Sequence, residues 1–205
     1  MTKISHLFDL ASGRPLPEEE EGQARRLQLV LQAGALSLGF AALFGLAAGA
    51  TDLGLAVANL YKLPMVVGLS TLCAVPAGLL MWKLTDAPNR ASDLLVGVAA
   101  GNLTATLVLA ALSPVVALYY LTSGSMGGPL AMGVICLAVA LGLFNVARAV
   151  LRRRPERASA GAVALPLVVI MTVQLASLVQ FIHVASPILP EVTVFDGGVD
   201  AMVGR

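Results

Sequence analysis

Five long apolar runs divide this chain, and they limit its possible folds more than any other feature. They cover residues 29–50, 63–82, 94–121, 129–151 and 162–183. About 20 apolar residues cross a hydrocarbon core, and only helices or closed barrels can satisfy every backbone polar group there. The pattern predicts an all-α membrane bundle with five transmembrane helices. The third run is long enough that we expect it to tilt, or to bend at Pro114.

The composition supports a membrane protein. Hydrophobic residues make up 58% of the chain and charged residues 12%, with a mean hydropathy of +0.86, whereas soluble domains carry about 25% charged residues. A net charge of +1 gives no reason to expect a nucleic-acid partner. We predict an amino-terminal segment over residues 1–28, a transmembrane domain over 29–185 and a tail over 186–205.

The basic residues fall mainly on one side of the five predicted spans. With Lys62 assigned to an outer loop and Arg205 to the tail, the other eleven of the 13 lysines and arginines lie on the opposite side. Cytoplasmic loops of membrane proteins carry such an excess. We therefore predict a cytoplasmic amino terminus and an extracytoplasmic carboxyl terminus. The small size and the Ala, Gly and Val content favour a bacterial inner membrane.

Uncharged polar residues form a stripe on the third span. Asn102, Thr106 and Ser113 lie within about 40° of one another on a helix of 100° per residue. One interpretation is ordinary hydrogen bonding between helices. The alternative is a polar path, which would also include residues of the fourth and fifth spans. These additional residues are Asn145, Gln174, Ser177 and Gln180.

Two GxxxG motifs predict close helix packing. Gly45 and Gly49 lie on the first span, and Gly97 and Gly101 on the third. Such pairs allow two helix backbones to approach closely. The motif itself does not distinguish packing within one chain from a contact between two copies.

The sequence contains no motif that indicates catalysis. HExxH, GxSxG, a P-loop and paired intramembrane aspartates are all missing, so we expect no enzyme activity, no cofactor and no metal. His183, near the outer end of the fifth span, is expected at the membrane interface, with a proton relay as the alternative. A cluster of arginines after the fourth span could contact anionic lipid headgroups or serve only to set the topology. It consists of Arg152, Arg153, Arg154 and Arg157.

Prolines recur at set places in the second and third spans. Lys62 and Pro64 open the second span, Pro76 follows about a dozen residues later, and Pro114 lies near the end of the third span. Over residues 61–151 this pattern resembles the Yip1-like bacterial membrane proteins. It implies a five-span bundle with a cytoplasmic amino terminus and a part in membrane organisation or complex assembly. It implies no catalytic residue.

These observations predict a non-catalytic structural or accessory subunit of a membrane complex, or a membrane-organising protein. Its expected partners are membrane lipids and either further copies of the chain or other membrane proteins. One alternative is a homo-oligomeric channel or facilitator lined by the polar path. A second alternative is a protein that handles anionic lipids through the arginine cluster.

Overall fold

The computed structural model describes residues 9–10, 22–87, 90–123, 127–152 and 160–189. Within these ranges the chain forms five long helices: α1 Gln23–Ala48, α2 Leu53–Leu84, α3 Ala91–Thr122, α4 Gly127–Arg152 and α5 Ala160–Ala185. All five are long and apolar enough to cross a membrane. The prediction of an all-α bundle with five membrane-spanning helices is confirmed.

The second helix begins earlier than its apolar run. Leu53 is its first residue, and the Asp52 side chain accepts hydrogen bonds from the backbone N–H groups of Gly54 and Leu55 at 2.8 and 3.2 Å. Such a cap satisfies donors that a helix start otherwise leaves free. Lys62, which was assigned to a loop, therefore lies inside α2. Its long side chain can carry the ammonium group away from the apolar surface.

Proline does not end any of these helices. Pro64 and Pro76 lie inside α2, Pro114 inside α3 and Pro166 inside α5. The third helix continues past Pro114 to Thr122. The third span, which we expected to tilt or to bend at Pro114, is thus one uninterrupted helix across that proline.

The order of the helices in space differs from their order in the chain. The third helix packs along α1 and α4, whereas α2 packs along α1 and α5. The consecutive pairs α2–α3 and α4–α5 touch only sparingly. The resulting sequence of neighbours is α4, α3, α1, α2, α5. The two outermost helices, α4 and α5, thus touch only sparingly, and residues of both line a small cavity together with α3.

Alternation of the helix directions gives the bundle two ends. The first end, called the basic end here, contains the starts of α1, α3 and α5 and the last turns of α2 and α4. It carries Arg25, Arg26, Lys83, Arg90 and Arg152. The opposite end is called the distal end. These names describe composition and do not assign a side of the membrane.

Three apolar clusters fill the bundle. The first lies between α2, α3, α4 and α5 toward the basic end, and Trp82 packs against it. A second joins α1, α3 and α4 and includes Leu10, which is only 2% exposed. A third lies at the distal end around Phe44 and Val116. Leu10 belongs to the segment that was predicted to lie outside the membrane domain, yet it is part of the core.

The chain that follows α5 crosses the distal end. Asn59 Nδ2 donates to the Ile188 carbonyl oxygen at 2.6 Å, and Lys62 Nζ donates to the Pro187 carbonyl oxygen at 2.9 Å. Ile188 is buried, and Leu189 packs on the distal cluster. The first residues of the predicted tail thus belong to the folded bundle. Residues 190–205 lie outside the described part of the chain.

Candidate functional site

Four polar side chains from three helices meet near the middle of the bundle. Ser70 and Thr71 come from α2, Asn102 from α3 and Gln174 from α5. We refer to these four residues as the amide–hydroxyl cluster. Each lies 11 to 14 residues from the basic end of its helix, which is about 16–21 Å along the helix axis. A hydrocarbon core is about 30 Å thick, so the cluster lies near the midplane of a bilayer.

The two hydroxyl groups of the cluster determine how the amides are oriented. Ser70 Oγ and Thr71 Oγ1 both donate to the Val67 carbonyl oxygen, at 2.9 and 2.7 Å. Each hydroxyl has one proton, so both oxygens can only accept from the amides. Asn102 Nδ2 donates to Thr71 Oγ1 at 2.7 Å.

The Gln174 amide completes the network with its nitrogen. Nε2 lies 3.2 Å from Ser70 Oγ, 3.4 Å from Thr71 Oγ1 and 3.5 Å from Asn102 Oδ1. All three are acceptors, so the nitrogen and not the oxygen must face them. Gln174 is 8% exposed, and its Oε1 is buried without a partner among the described residues. A buried acceptor left unpaired costs about 1–3 kcal/mol.

A small cavity adjoins this cluster between α3, α4 and α5. Its volume is about 50 Å³, and Asn102 and Gln174 are its polar lining residues. Gly101 and Gly142 supply walls without side chains, and Ala105 adds only a methyl group. The remaining lining residues are apolar: Val98, Val139, Leu143, Val146, Ile170, Met171 and Leu178. An uncharged amide pair at the edge of an apolar space can bind and orient a neutral group.

The other predicted path residues are not brought to this cluster. Thr106 and Ser113 are buried, and their hydroxyls donate to carbonyls of their own helix, at Asn102 and Leu109. Ser177 is half-buried on α5, and Gln180 is exposed there. Of the seven residues in the predicted polar path, Asn102 and Gln174 are the pair whose side chains hydrogen-bond to each other among the described residues.

Asn145 belongs to a different polar contact. Its Nδ2 donates to Thr104 Oγ1 at 2.7 Å, with the carbonyl oxygens of Ala100 and Leu10 at 3.3 and 3.5 Å. Residues two positions apart on a helix differ by about 200° in direction, so Thr104 and Asn102 point to nearly opposite sides of α3. Asn145 therefore joins α3, α4 and the amino-terminal segment, away from Gln174.

The glycines of both GxxxG motifs pack closely against other helices of the same chain. A Cβ added at Gly45 or Gly49 would meet the backbone of α2, at Asn59 and Ala56 respectively. A Cβ added at Gly97 would meet the Val150 side chain. At Gly101 it would meet the Val146 side chain and lie 2.7 Å from the backbone oxygen of Gly142. The two motifs thus hold α1 against α2 and α3 against α4.

An ion pair lies at the basic end. Arg26 Nη1 is 2.9 Å from Asp93 Oδ1 and 3.0 Å from Ser92 Oγ. Asp93 Oδ2 also accepts from the Arg90 backbone N–H at 3.1 Å. The pair joins the starts of α1 and α3. It gives a structural role to Asp93, which was not among the residues predicted to form a site.

Arg152 from the predicted lipid contact and His183 both lie at helix ends. Arg152 is the exposed last residue of α4, whereas Arg153, Arg154 and Arg157 fall outside the described residues. His183 is exposed in the last turn of α5. Across the described ranges, no group of three or more His, Cys, Asp or Glu residues could hold a metal ion.

Ser70 and Thr71 are members of the cluster that the sequence analysis did not select as site residues. The sequence feature that could have identified them is a pair of adjacent hydroxyl residues in the middle of an apolar run.

Comparison of the chain with protein-family models, with curated proteins and with solved structures finds no match. The similarity to Yip1-like proteins stays a prediction from sequence.

Proposed function

We propose that the protein is a non-catalytic structural or accessory subunit of a membrane complex, or a membrane-organising protein. The observation that supports this proposal is the use of the polar side chains within the spans. The amide–hydroxyl cluster and the Asn145 contact join helices to one another. Most of the hydrogen-bonding groups of these side chains are thus used between helices, which stabilises the fold.

We assign the basic end to the cytoplasm of a bacterial inner membrane. Arg25, Arg26, Lys83, Arg90 and Arg152 all lie at this end, and the positive-inside rule favours that orientation. The amino terminus is then cytoplasmic, and the chain beyond α5 is extracytoplasmic. Accessibility of single cysteines introduced at each end to an impermeant thiol reagent tests the assignment, and labelling of the basic end from outside would reverse it.

Glycines with open space beside them support a contact with another membrane protein or another copy. A Cβ added at Gly39 on α1 or at Gly133 on α4 would meet nothing within 4 Å, and both residues are exposed. Glycine in a helix interior costs about 1 kcal/mol relative to alanine, and neither glycine gains a close contact within this chain. A partner helix packed over them would use the space that they leave open.

The test is the native mass and composition of the complex extracted in mild detergent through an amino-terminal tag. We expect a stoichiometric partner or a defined oligomer, which Gly39→Leu or Gly133→Leu reduces. Ala176→Leu is the control, because Ala176 is an exposed small residue on α5. A monomer of unchanged mass in the wild type and in all three variants would refute the proposal.

The two alternatives have less support. A channel needs its polar residues on one continuous surface, but Thr106 and Ser113 bond to their own helix and Asn145 lies on another side of α3. A flux of ions or small solutes through liposomes containing the intact protein would favour this alternative.

The lipid-handling alternative rests on Arg152 and on three arginines outside the described residues. Preferential binding to vesicles containing anionic lipid, weakened by Arg152→Gln, would favour it.

A further inference from the structure

The cavity between α3, α4 and α5 has the features of a binding site. Backbone contacts between α4 and α5 are sparse, and Gly101, Ala105 and Gly142 leave space on the facing helices. The volume of about 50 Å³ is smaller than the roughly 150 Å³ cavity that binds a benzene ring in an engineered core. It can take a small polar head and the first carbons of a chain.

The cavity is open toward the lipid-facing surface of the bundle. Val139 and Leu143 on α4 and Leu178 on α5 line it and are themselves partly exposed. A molecule dissolved in the bilayer can therefore enter between α4 and α5 without crossing the core. The rest of an alkyl chain would remain outside the cavity, along apolar side chains and lipid.

The cluster beside the cavity lacks one hydrogen-bond donor. The hydroxyls of Ser70 and Thr71 direct the Gln174 amide nitrogen toward α2, and this leaves Oε1 without a partner among the described residues. Hydrocarbon offers no donor. Oε1 is itself covered by protein atoms, so a small movement of the Gln174 side chain has to open it to the cavity. A hydroxyl group that enters the cavity beside Gln174 would then supply the bond that Oε1 lacks.

Depth and charge select the chemical class of the ligand. Gln174 lies near the bilayer midplane, where a charged or zwitterionic headgroup would lose its hydration at a cost of many kcal/mol. None of the residues lining the cavity is charged. A neutral lipid with a free hydroxyl can carry this group to the midplane, because a single hydroxyl is far less costly to desolvate.

We propose that this cavity binds the hydroxyl end of a neutral, single-chain alcohol of the membrane, with Gln174 Oε1 as the acceptor. Asn102 lines the same space and positions the Gln174 amide through its Oδ1. The proposal does not depend on the function proposed above, because an accessory subunit and a channel could both contain such a site.

The experiment uses photolabelling of the full chain in liposomes. The probe is hexadecan-1-ol carrying a diazirine near the hydroxyl, and labelled peptides are identified by mass spectrometry. We expect saturable labelling of α4 and α5 at the cavity. Unlabelled hexadecan-1-ol should protect against it, whereas 1-methoxyhexadecane, which keeps the oxygen but cannot donate, should protect at least about tenfold less well.

Three variants locate the site. Gln174→Leu removes the acceptor and should raise the half-saturating probe fraction about tenfold. Val139→Phe should reduce labelling by filling the cavity while it leaves the amide–hydroxyl cluster intact. Gln180→Leu is the matched control, because it removes an exposed glutamine from the same helix, and it should label like the wild type.

Three results would overturn the proposal. They are labelling that does not saturate, equal protection by the alcohol and the methyl ether, and labelling of Val139→Phe equal to that of the wild type. The first result would mean that the cavity holds only water or bulk hydrocarbon. If Gln174→Leu fails to fold, the two protecting compounds and Val139→Phe still decide the question. None of these results bears on the complex mass that tests the proposed accessory function.

Discussion

The close contact between α3 and α4 at Gly101 yields a prediction with a defined magnitude. A methyl group at this position would lie 2.7 Å from the backbone oxygen of Gly142 and closer still to the Val146 side chain. The valine can rotate, but the carbonyl belongs to the α4 backbone and cannot yield alone. The substitution Gly101→Ala should therefore push the two helices apart by several tenths of an ångström or more.

The expected cost follows from the contacts that are lost. A gap of 0.5–1 Å already removes about a quarter to a half of the dispersion energy of an atom pair, and overpacking in cores costs about 1–3 kcal/mol. Replacing glycine by alanine inside a helix also gains about 0.5–1 kcal/mol. The same gain is expected at a helical glycine with no atoms nearby. The difference in stability between two Gly→Ala variants, one at each kind of position, therefore gives the cost of the close contact alone.

Gly133→Ala is the variant at a position with no atoms nearby. Gly133 lies on α4, and nothing stands within 4 Å of an added Cβ. Unfolding both variants with sodium dodecyl sulphate in mixed micelles, followed by circular dichroism, should show Gly101→Ala less stable than Gly133→Ala by about 1–3 kcal/mol. Equal stability of the two variants would refute the conclusion that Gly101 forms a backbone contact within the chain.

Three further predictions concern contacts at the two ends. The coupling energy between Arg26→Gln and Asp93→Asn in a double-mutant cycle of unfolding should be about 1–3 kcal/mol, and additive effects would contradict the ion pair. Leu10→Ala should destabilise the bundle by about 2–5 kcal/mol because it empties a buried site; a change under 0.5 kcal/mol in the same unfolding assay would show that this residue does not pack in the core. Asn59→Leu should release the chain at Ile188 and speed its cleavage by a protease added to the distal side, and an unchanged cleavage rate would argue against that hydrogen bond.

The helices could be predicted from sequence because the signal is local. Every apolar run lies within a helix apart from the last two residues of the first run, and the start of α2 also had a readable signal in Asp52, a good capping residue. Lys62 was predicted in an outer loop because it immediately precedes the second apolar run. It lies inside α2 instead, and its ammonium group reaches the Pro187 carbonyl oxygen.

The site could be predicted only in part, because helix periodicity does not identify neighbouring helices. The stripe containing Asn102 was visible in the sequence, but its partner Thr71 is 31 residues away and Gln174 is 72 residues away. Asn145 looked equivalent to Asn102 in type and depth, yet it packs on the opposite side of α3. The order of helices in space decides such pairings, and a single sequence carries little information about it.

The difference between spatial order and chain order has a consequence for how the protein is made. During synthesis, α2 enters the membrane long before α5, its main neighbour apart from α1. Thr71 and Gln174 are 103 residues apart, which a ribosome covers in about 5–20 s. For that interval the hydroxyls of Ser70 and Thr71 have only their own helix backbone as acceptor. Their bonds to the Val67 carbonyl oxygen satisfy both hydroxyl protons in the side of α2 that stays exposed to lipid until α5 is inserted.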